Sequence, residues 1–206
     1  MYLPEMFAVT DEAEIDGLLA GVGLACLVSH DPAGLYATHL PLLHDRASGV
    51  LSGHVSRANP HWRRAAEASG MAIFQGLDAY VTPSWYPSKS RHGQAVPTWN
   101  YEVAHVHGML RWRDDQAWLR THLAALTDRF EAGRAKPWAM EDAPEDYLQR
   151  MIGGVVGLEL TIERIEAKRK LSQNRTAPDR LGVIAGLSDS GSERDRAMAE
   201  TMSRGG

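Results

Sequence analysis

Cysteine is nearly absent from this chain of 206 residues, where Cys26 stands alone. A single thiol forms no internal disulfide and leaves no cysteine-based zinc site. Within the apolar run from Gly23 to Val28 it reads as a buried small hydrophobe. Phenylalanine is also scarce, with three residues against six tryptophans and six tyrosines. Most of the aromatic surface therefore carries a polar handle, which suits interfaces and flat ligands as well as cores. Positive charge is not in excess: 22 Lys and Arg face 26 Asp and Glu, for a net charge of −4. That balance argues against a chain that grips a nucleic-acid backbone unaided. No stretch has the length of a membrane-spanning helix, and Met1-Tyr-Leu-Pro-Glu5 lacks the basic and apolar regions of a secretory leader. Cytoplasm is the expected compartment. There is no Walker loop, no strand-borne G-x-G-x-x-G, no G-x-S-x-G and no H-E-x-x-H, which removes the commonest nucleotide and hydrolase signatures.

What is present points to an α+β protein built on antiparallel strands. Asp11 and Glu14 have capping-box spacing ahead of Ile15, Leu18 and Leu19, predicting a helix over 11–20. Strands are expected at 23–30, 35–43 and 49–55, joined by turn-rich segments as a meander. Asn59-Pro60 opens a short helix, and 71–76 with 79–82 form a strand bent at Gly76-Leu-Asp78. The Pro-rich segment 83–97 reads as a long flap, and 98–113 as a long strand. Trp118, Leu119, Leu123, Leu126 and Phe130 mark an amphipathic helix over 114–132, and Pro144 starts another to 153. A last strand over 155–165 and a helix over 172–187 complete one expected domain, 1–187. Residues 188–206 read as a disordered polar tail. The pattern is a six- or seven-stranded antiparallel barrel with peripheral helices.

Three segments offer binding chemistry. Leu51 to Pro60 places Ser52, His54, Ser56, Arg57 and Asn59 where a strand enters a helix; hydroxyls, a guanidinium and free N–H groups there suit a phosphate. An ordinary turn with an exposed arginine is the competing reading. Trp99, Asn100 and Tyr101, with Trp85 and Tyr86, offer rings and amides for a planar ligand, or equally a tryptophan-rich core corner. Lys168-Arg-Lys170-Leu-Ser-Gln173-Asn174 supplies three cations, a hydroxyl and two amides, or a solvated basic turn. His105 and His107 share a strand face, and His39 and His54 lie on neighbouring strands, but no third ligand is placed by spacing. Hydrogen-bonded histidines are therefore expected, with no metal site.

These segments, with Met1-Tyr-Leu-Pro4, Ala37-Thr-His-Leu-Pro-Leu42, Gly53-His-Val-Ser-Arg-Ala-Asn-Pro-His-Trp62, Tyr80-Val-Thr-Pro-Ser-Trp-Tyr86 and Ile152-Gly-Gly-Val-Val-Gly157, resemble the PaiB-type family of FMN-binding negative transcriptional regulators. The resemblance runs from Met1 to about Leu187. It implies a split β-barrel homodimer with FMN at the seam between subunits, related to pyridoxamine-phosphate oxidases and flavin reductases. By similarity, Ser52, His54, Ser56 and Arg57 meet the phosphate. Ala58 stands where the oxidases carry lysine, which shifts weight to Lys168 or Lys170. Thr38, His39 and Leu40 run beside the isoalloxazine, and Gln173 and Asn174 touch ring or ribityl chain. The implied role is flavin-linked regulation, direct or through a partner on DNA; an FMN-dependent oxidoreductase is the alternative, and a haem-binding split barrel the third.

Overall fold

The computed structural model describes residues 1–65 and 67–204, apart from the side chains of Glu67 and His92. In chain order the elements are β1 (Ala8–Val9), α1 (Glu12–Gly21), β2 (Ala25–Asp31), β3 (Gly34–Leu40), β4 (Leu43–Asp45), β5 (Val50–Ser56) and α2 (His61–Arg64). Then follow β6 (Glu67–Val81), α3 (Lys89–His92), β7 (Thr98–Arg113), α4 (Gln116–Glu131), α5 (Glu145–Gly153), β8 (Val155–Lys170), α6 (Ala177–Ser188) and α7 (Glu193–Arg204). The strands form one sheet in the order β3-β2-β6-β7-β8-β5-β4, with β1 added on β8. Among the described residues no helix is long and apolar enough to cross a membrane.

Local chemistry sets the boundaries. Asp11 Oδ1 accepts from the Glu14 amide at 3.0 Å to start α1, and Asp115 Oδ1 accepts from Trp118 at 2.7 Å to start α4. The β2–β3 hairpin closes through Gly34 at φ 116°, and the β4–β5 hairpin through Gly49 at φ 66°, values that a side chain would strain. In register, Leu27 faces Thr38 across β2 and β3, and His54 faces Gly157 across β5 and β8.

Backbone contacts divide the chain into two compact units. One, here the cleft unit, comprises Gly23–Ile73 and Val106–Ile165. Its core includes Leu27, Leu51, Val106, Leu119, Leu158 and Leu160, all essentially inaccessible. The other, the terminal unit, comprises Met1–Val22, Phe74–His105 and Glu166–Gly206. Its core gathers Val81, Tyr86, Leu171, Val183, Leu187, Met198 and Met202. Each unit is assembled from non-contiguous segments, and β6, β7 and β8 pass from one into the other.

Several elements differ from expectation. Among the described residues eight strands form, not six or seven, because β1 and β4 have two and three residues and carry no periodicity to read. The strand bent at Gly76 is instead one element of 15 residues. Gly76 is there for close approach: a Cβ on it would lie 3.1 Å from Glu102 Cβ and 3.2 Å from Leu18. β8 runs on to Lys170 despite its charges, since Ala167 and Lys168 pair with β1. The flap holds a 3-10 turn (Pro83–Trp85) and α3. The tail is largely helical: Met198, Ala199 and Met202 of α7 lie at helical spacing and are buried. Composition concealed this stripe because its apolar members are only methionine and alanine. The last two tail residues lie outside the described residues.

Candidate functional site

In the cleft unit, β5 alternates cleanly. Leu51, Gly53 and Val55 are buried on one face, which puts Ser52, His54 and Ser56 on the other. Beyond Ser56 the chain turns into α2, and β3 contributes its C-terminal end. Together they bound an open cleft of about 460 Å³, within the roughly 300–1,000 Å³ of small-molecule sites. Thr38, His39, Leu40, Pro41, His54, Val55, Ser56 and Asn59 line it, with Met151, Gly154 and Val155 from the α5–β8 junction.

The polar groups of this wall are held from behind. His61 is fully buried, and its Nδ1 and Nε2 share hydrogen bonds with Thr38 Oγ1 at 2.9 Å and Ser29 Oγ at 2.8 Å. Asn59 Nδ2 donates to the same Thr38 oxygen at 3.2 Å, while its Oδ1 accepts from the His61 amide at 2.9 Å. Burial, assisted by the Arg64 charge, lowers the His61 pKa and so favours the neutral ring. Arg64 itself is taken by Asp31, donating from Nε at 2.5 Å, and this bond holds the Asp31 carboxyl at about 2.

A second chain of contacts backs His54. Its Nδ1 lies 3.3 Å from Nε2 of His122, which is 5% exposed. Trp118 stacks on the His122 ring, centroids 5.1 Å apart and planes 13° from parallel. The Trp118 Nε1–H donates to Glu159 at 3.0 Å, and Arg113 donates to Glu159 at 2.8 and 2.5 Å. Gly157, opposite His54, makes the arrangement possible: a Cβ there would sit 2.2 Å from the Trp118 ring. Desolvation lowers both histidine pKa values, that of His122 to about 4 with the His54 charge adding to the effect.

Arg57 does not line the cleft. Its Nε donates to Gly153 O at 2.8 Å and Nη2 to Val155 O at 3.0 Å, while Nη1 and Nη2 clasp Asp114. The Arg57 amide also donates to Gly154 O at 2.8 Å. The guanidinium and the amide of Arg57 are thus spent on fixing the backbone from Gly153 to Val155, of which Gly154 and Val155 line the cleft. Ser52, on β5 opposite Glu159, also lies outside the lining.

The remaining sequence candidates belong to the terminal unit and are mostly committed internally. Lys168 is 6% exposed, donates to Tyr2 O at 3.1 Å, and sits over the rings of Tyr101, Tyr2 and Phe7. Lys170 donates to Thr98 Oγ1 at 2.6 Å and Trp99 O at 2.5 Å; burial, then the Lys168 and Arg175 charges, lower its pKa. Asn100 is fully buried, accepting from Ser172 Oγ at 3.1 Å and donating to Met202 Sδ at 3.3 Å. Gln173 Oε1 accepts from Leu171 N at 2.6 Å and its Nε2 donates to Arg169 O at 2.7 Å, closing its own turn. Trp99 is half exposed and edge-on to Tyr80. Asn174 lines a separate shallow cleft with Arg91 and Arg175. Trp85 packs against Gly182 and Gly186 of α6, and Tyr86 is buried, which is the core corner of the two readings offered for those rings.

Sequence reasoning passed over His61, His122, Trp118 and Glu159. The first stood in a quoted motif without a role, and the others are far from β5 in sequence. Gly157 was the available signal, since glycine in a strand marks close approach.

Comparison with known proteins fits this architecture. The chain is 31% identical over 205 residues to "Protease synthase and sporulation protein PAI 2" of Bacillus subtilis (strain 168), covering 98% of this chain and 96% of the relative. Among solved structures it is similar to the FAD and heme binding protein of Mycobacterium smegmatis, with a TM-score of 0.62 and 21% identity over 84% of this chain and 78% of that one. The flavocytochrome Anf3 of Azotobacter vinelandii gives 0.58 and 16%, over 93% and 75%. These likenesses concern the fold, and the split-barrel expectation stands. Residues 1–164 match the family model described as "Putative FMN-binding domain", and with the PAI 2 relative this makes the chain a member of the PaiB-type FMN-binding family.

Proposed function

We propose that this protein works as an FMN-binding homodimer, that the cleft on β3, β5 and α2 receives the polar edge of the flavin, and that flavin occupancy is what a PaiB-type regulatory role reads. The observation that carries the reading is convergence. Thr38, His39, Leu40, His54, Ser56 and Asn59, picked from separate sequence segments, line one cleft. The donor set suits a neutral heteroaromatic ring: hydroxyl, amide and imidazole groups stand beside an apolar wall of Leu40, Pro41, Val55, Met151 and Val155. It contains no lysine or arginine. A phosphate dianion therefore finds no countercharge in this lining, and Arg57, Lys168 and Lys170 all hold internal partners. In the dimer reading the second copy supplies that cation. Bound FMN would supply one- and two-electron redox chemistry, while these residues bind it, orient it and exclude water. The net charge of −4 favours regulation through flavin state or a partner over direct grip on DNA.

The test is reconstitution. After mixing with FMN and removing free flavin, the full chain should be yellow, carry one FMN per chain and run as a dimer. Protein that stays colourless at micromolar FMN overturns the cofactor reading, and a flavin-loaded monomer overturns the seam. Steady consumption of reduced nicotinamide by the loaded protein moves the function to an oxidoreductase. A Soret band on titration with haem moves it to a haem protein.

A further inference from the structure

His122 has a buried nitrogen that nothing satisfies. Its Nδ1 has no hydrogen-bond partner among the described residues, although the residue is 5% exposed. Its Nε2 faces His54 Nδ1 at 3.3 Å, and a contact between two imidazole nitrogens needs one proton between them. Both rings are neutral near pH 7, since burial lowers both pKa values. Two arrangements are then possible.

In the first, His54 donates from Nδ1, and His122, accepting at Nε2, must keep its own proton on Nδ1. That leaves a buried N–H donor with no acceptor among the described residues, beside a Trp118 ring that lies flat on the face of His122 and offers nothing at its edge. An orphaned buried N–H is the rarer and costlier state, because it loses its bond to water and gains no other. In the second, His122 donates from Nε2 and leaves a bare lone pair at Nδ1. His54 then accepts at Nδ1 and carries its proton on Nε2.

From this geometry we infer that His122 fixes the tautomer of His54, so that His54 presents an Nε2–H donor to the cleft and selects a ligand with a hydrogen-bond acceptor at that point. Resting on the reading that the cleft holds the cofactor, this names its facing atom by class: a carbonyl oxygen or bare ring nitrogen, such as the pyrimidine edge of an isoalloxazine displays. A protonated Nε2 has no lone pair for iron, so the same tautomer disfavours axial ligation of haem by His54. His122 is a positioning residue here, acting through His54.

Long-range proton–nitrogen correlation spectra of the full chain, labelled with 15N-histidine at pH 7 without ligand, test the assignment directly. His54 is expected to show a protonated Nε2 and a bare Nδ1, and His122 the same pattern. Protonation of His54 at Nδ1 overturns the inference, whether or not FMN binds elsewhere. His122→Phe keeps the ring and its stack but removes the donor. The His54 signals should then move toward a tautomer mixture, and FMN affinity should fall between about twofold and tenfold. His122→Gln, whose amide can donate to His54, should restore much of it. Unchanged His54 signals in His122→Phe would also sink the idea. Failure of the unmodified chain to bind FMN would instead count against the cofactor reading and leave the tautomer result standing.

Discussion

The wall of the cleft and the turn from Lys168 to Asn174 are equally rich in polar groups, yet they end in opposite conditions. Around β5, two polar groups of the wall keep hydrogen-bonding capacity among the described residues: His54 is met at Nδ1 only, and the Ser56 hydroxyl accepts from Ala58 N at 3.3 Å while keeping its hydrogen, whereas Asn59 is held at both ends of its amide. In the turn both ends are consumed. Gln173 bonds its own backbone twice, Ser172 closes on Asn100, and Lys170 is held by Thr98 and Trp99. Polar density in a sequence does not mark a binding site; unspent hydrogen-bonding capacity does.

Three experiments sharpen or break this contrast, taken from the largest effect to the smallest. The first is acid stability. The His122 pKa is about 4 in the folded protein against an ordinary 6.5, so between those values the unfolded chain binds a proton that the folded one refuses. Stability therefore falls as pH drops through that window, by roughly 3 kcal/mol at most from this residue. Urea midpoints at pH 7 and 4.5 should separate less in His122→Phe than in the natural chain; equal separation would show that His122 is not buried as described. The second is Gly157→Ala, which drives a methyl into the Trp118 ring. It should destabilise by about 1–3 kcal/mol and weaken FMN binding by disturbing His122 behind His54. Intact affinity would detach this support from the cleft.

The third compares Ser172→Ala with Ser172→Gly. Ser172 is the one non-glycine residue at positive φ among the described residues, at 63°. Both changes lose the bond to Asn100, but only glycine relieves the backbone. The alanine variant should be less stable than the glycine variant by about 1 kcal/mol, with FMN affinity the same in both. An affinity loss in either would return the turn to the binding site.

Long periodic elements were legible in the sequence. The strand over 98–113 and the helix near 114–132 match β7 and α4 closely, and β5 was placed within one residue at each end. Short strands were not, because two or three residues carry no repeat. The cleft was legible in its first half, where strand and turn supply His54, Ser56 and Asn59 together. Its second half was not. His122 reaches His54 across 68 positions of sequence, and Arg57 reads as a free phosphate ligand until Asp114 and two carbonyls are seen to occupy it. Which charges are already neutralised is a tertiary property, and spacing along one strand does not report it.

The interleaving of the two units bears on how the chain is made. Every residue of the cleft unit has been translated once Ile165 is in place, whereas the terminal unit still awaits Glu166–Gly206. At ribosomal speeds of about 5–20 residues per second, that leaves roughly 2–8 s between the two events. The segment that would receive the ligand is complete before α7 brings its methionines to the terminal unit, so nascent protein holds the whole cleft sequence while α7 is still unmade.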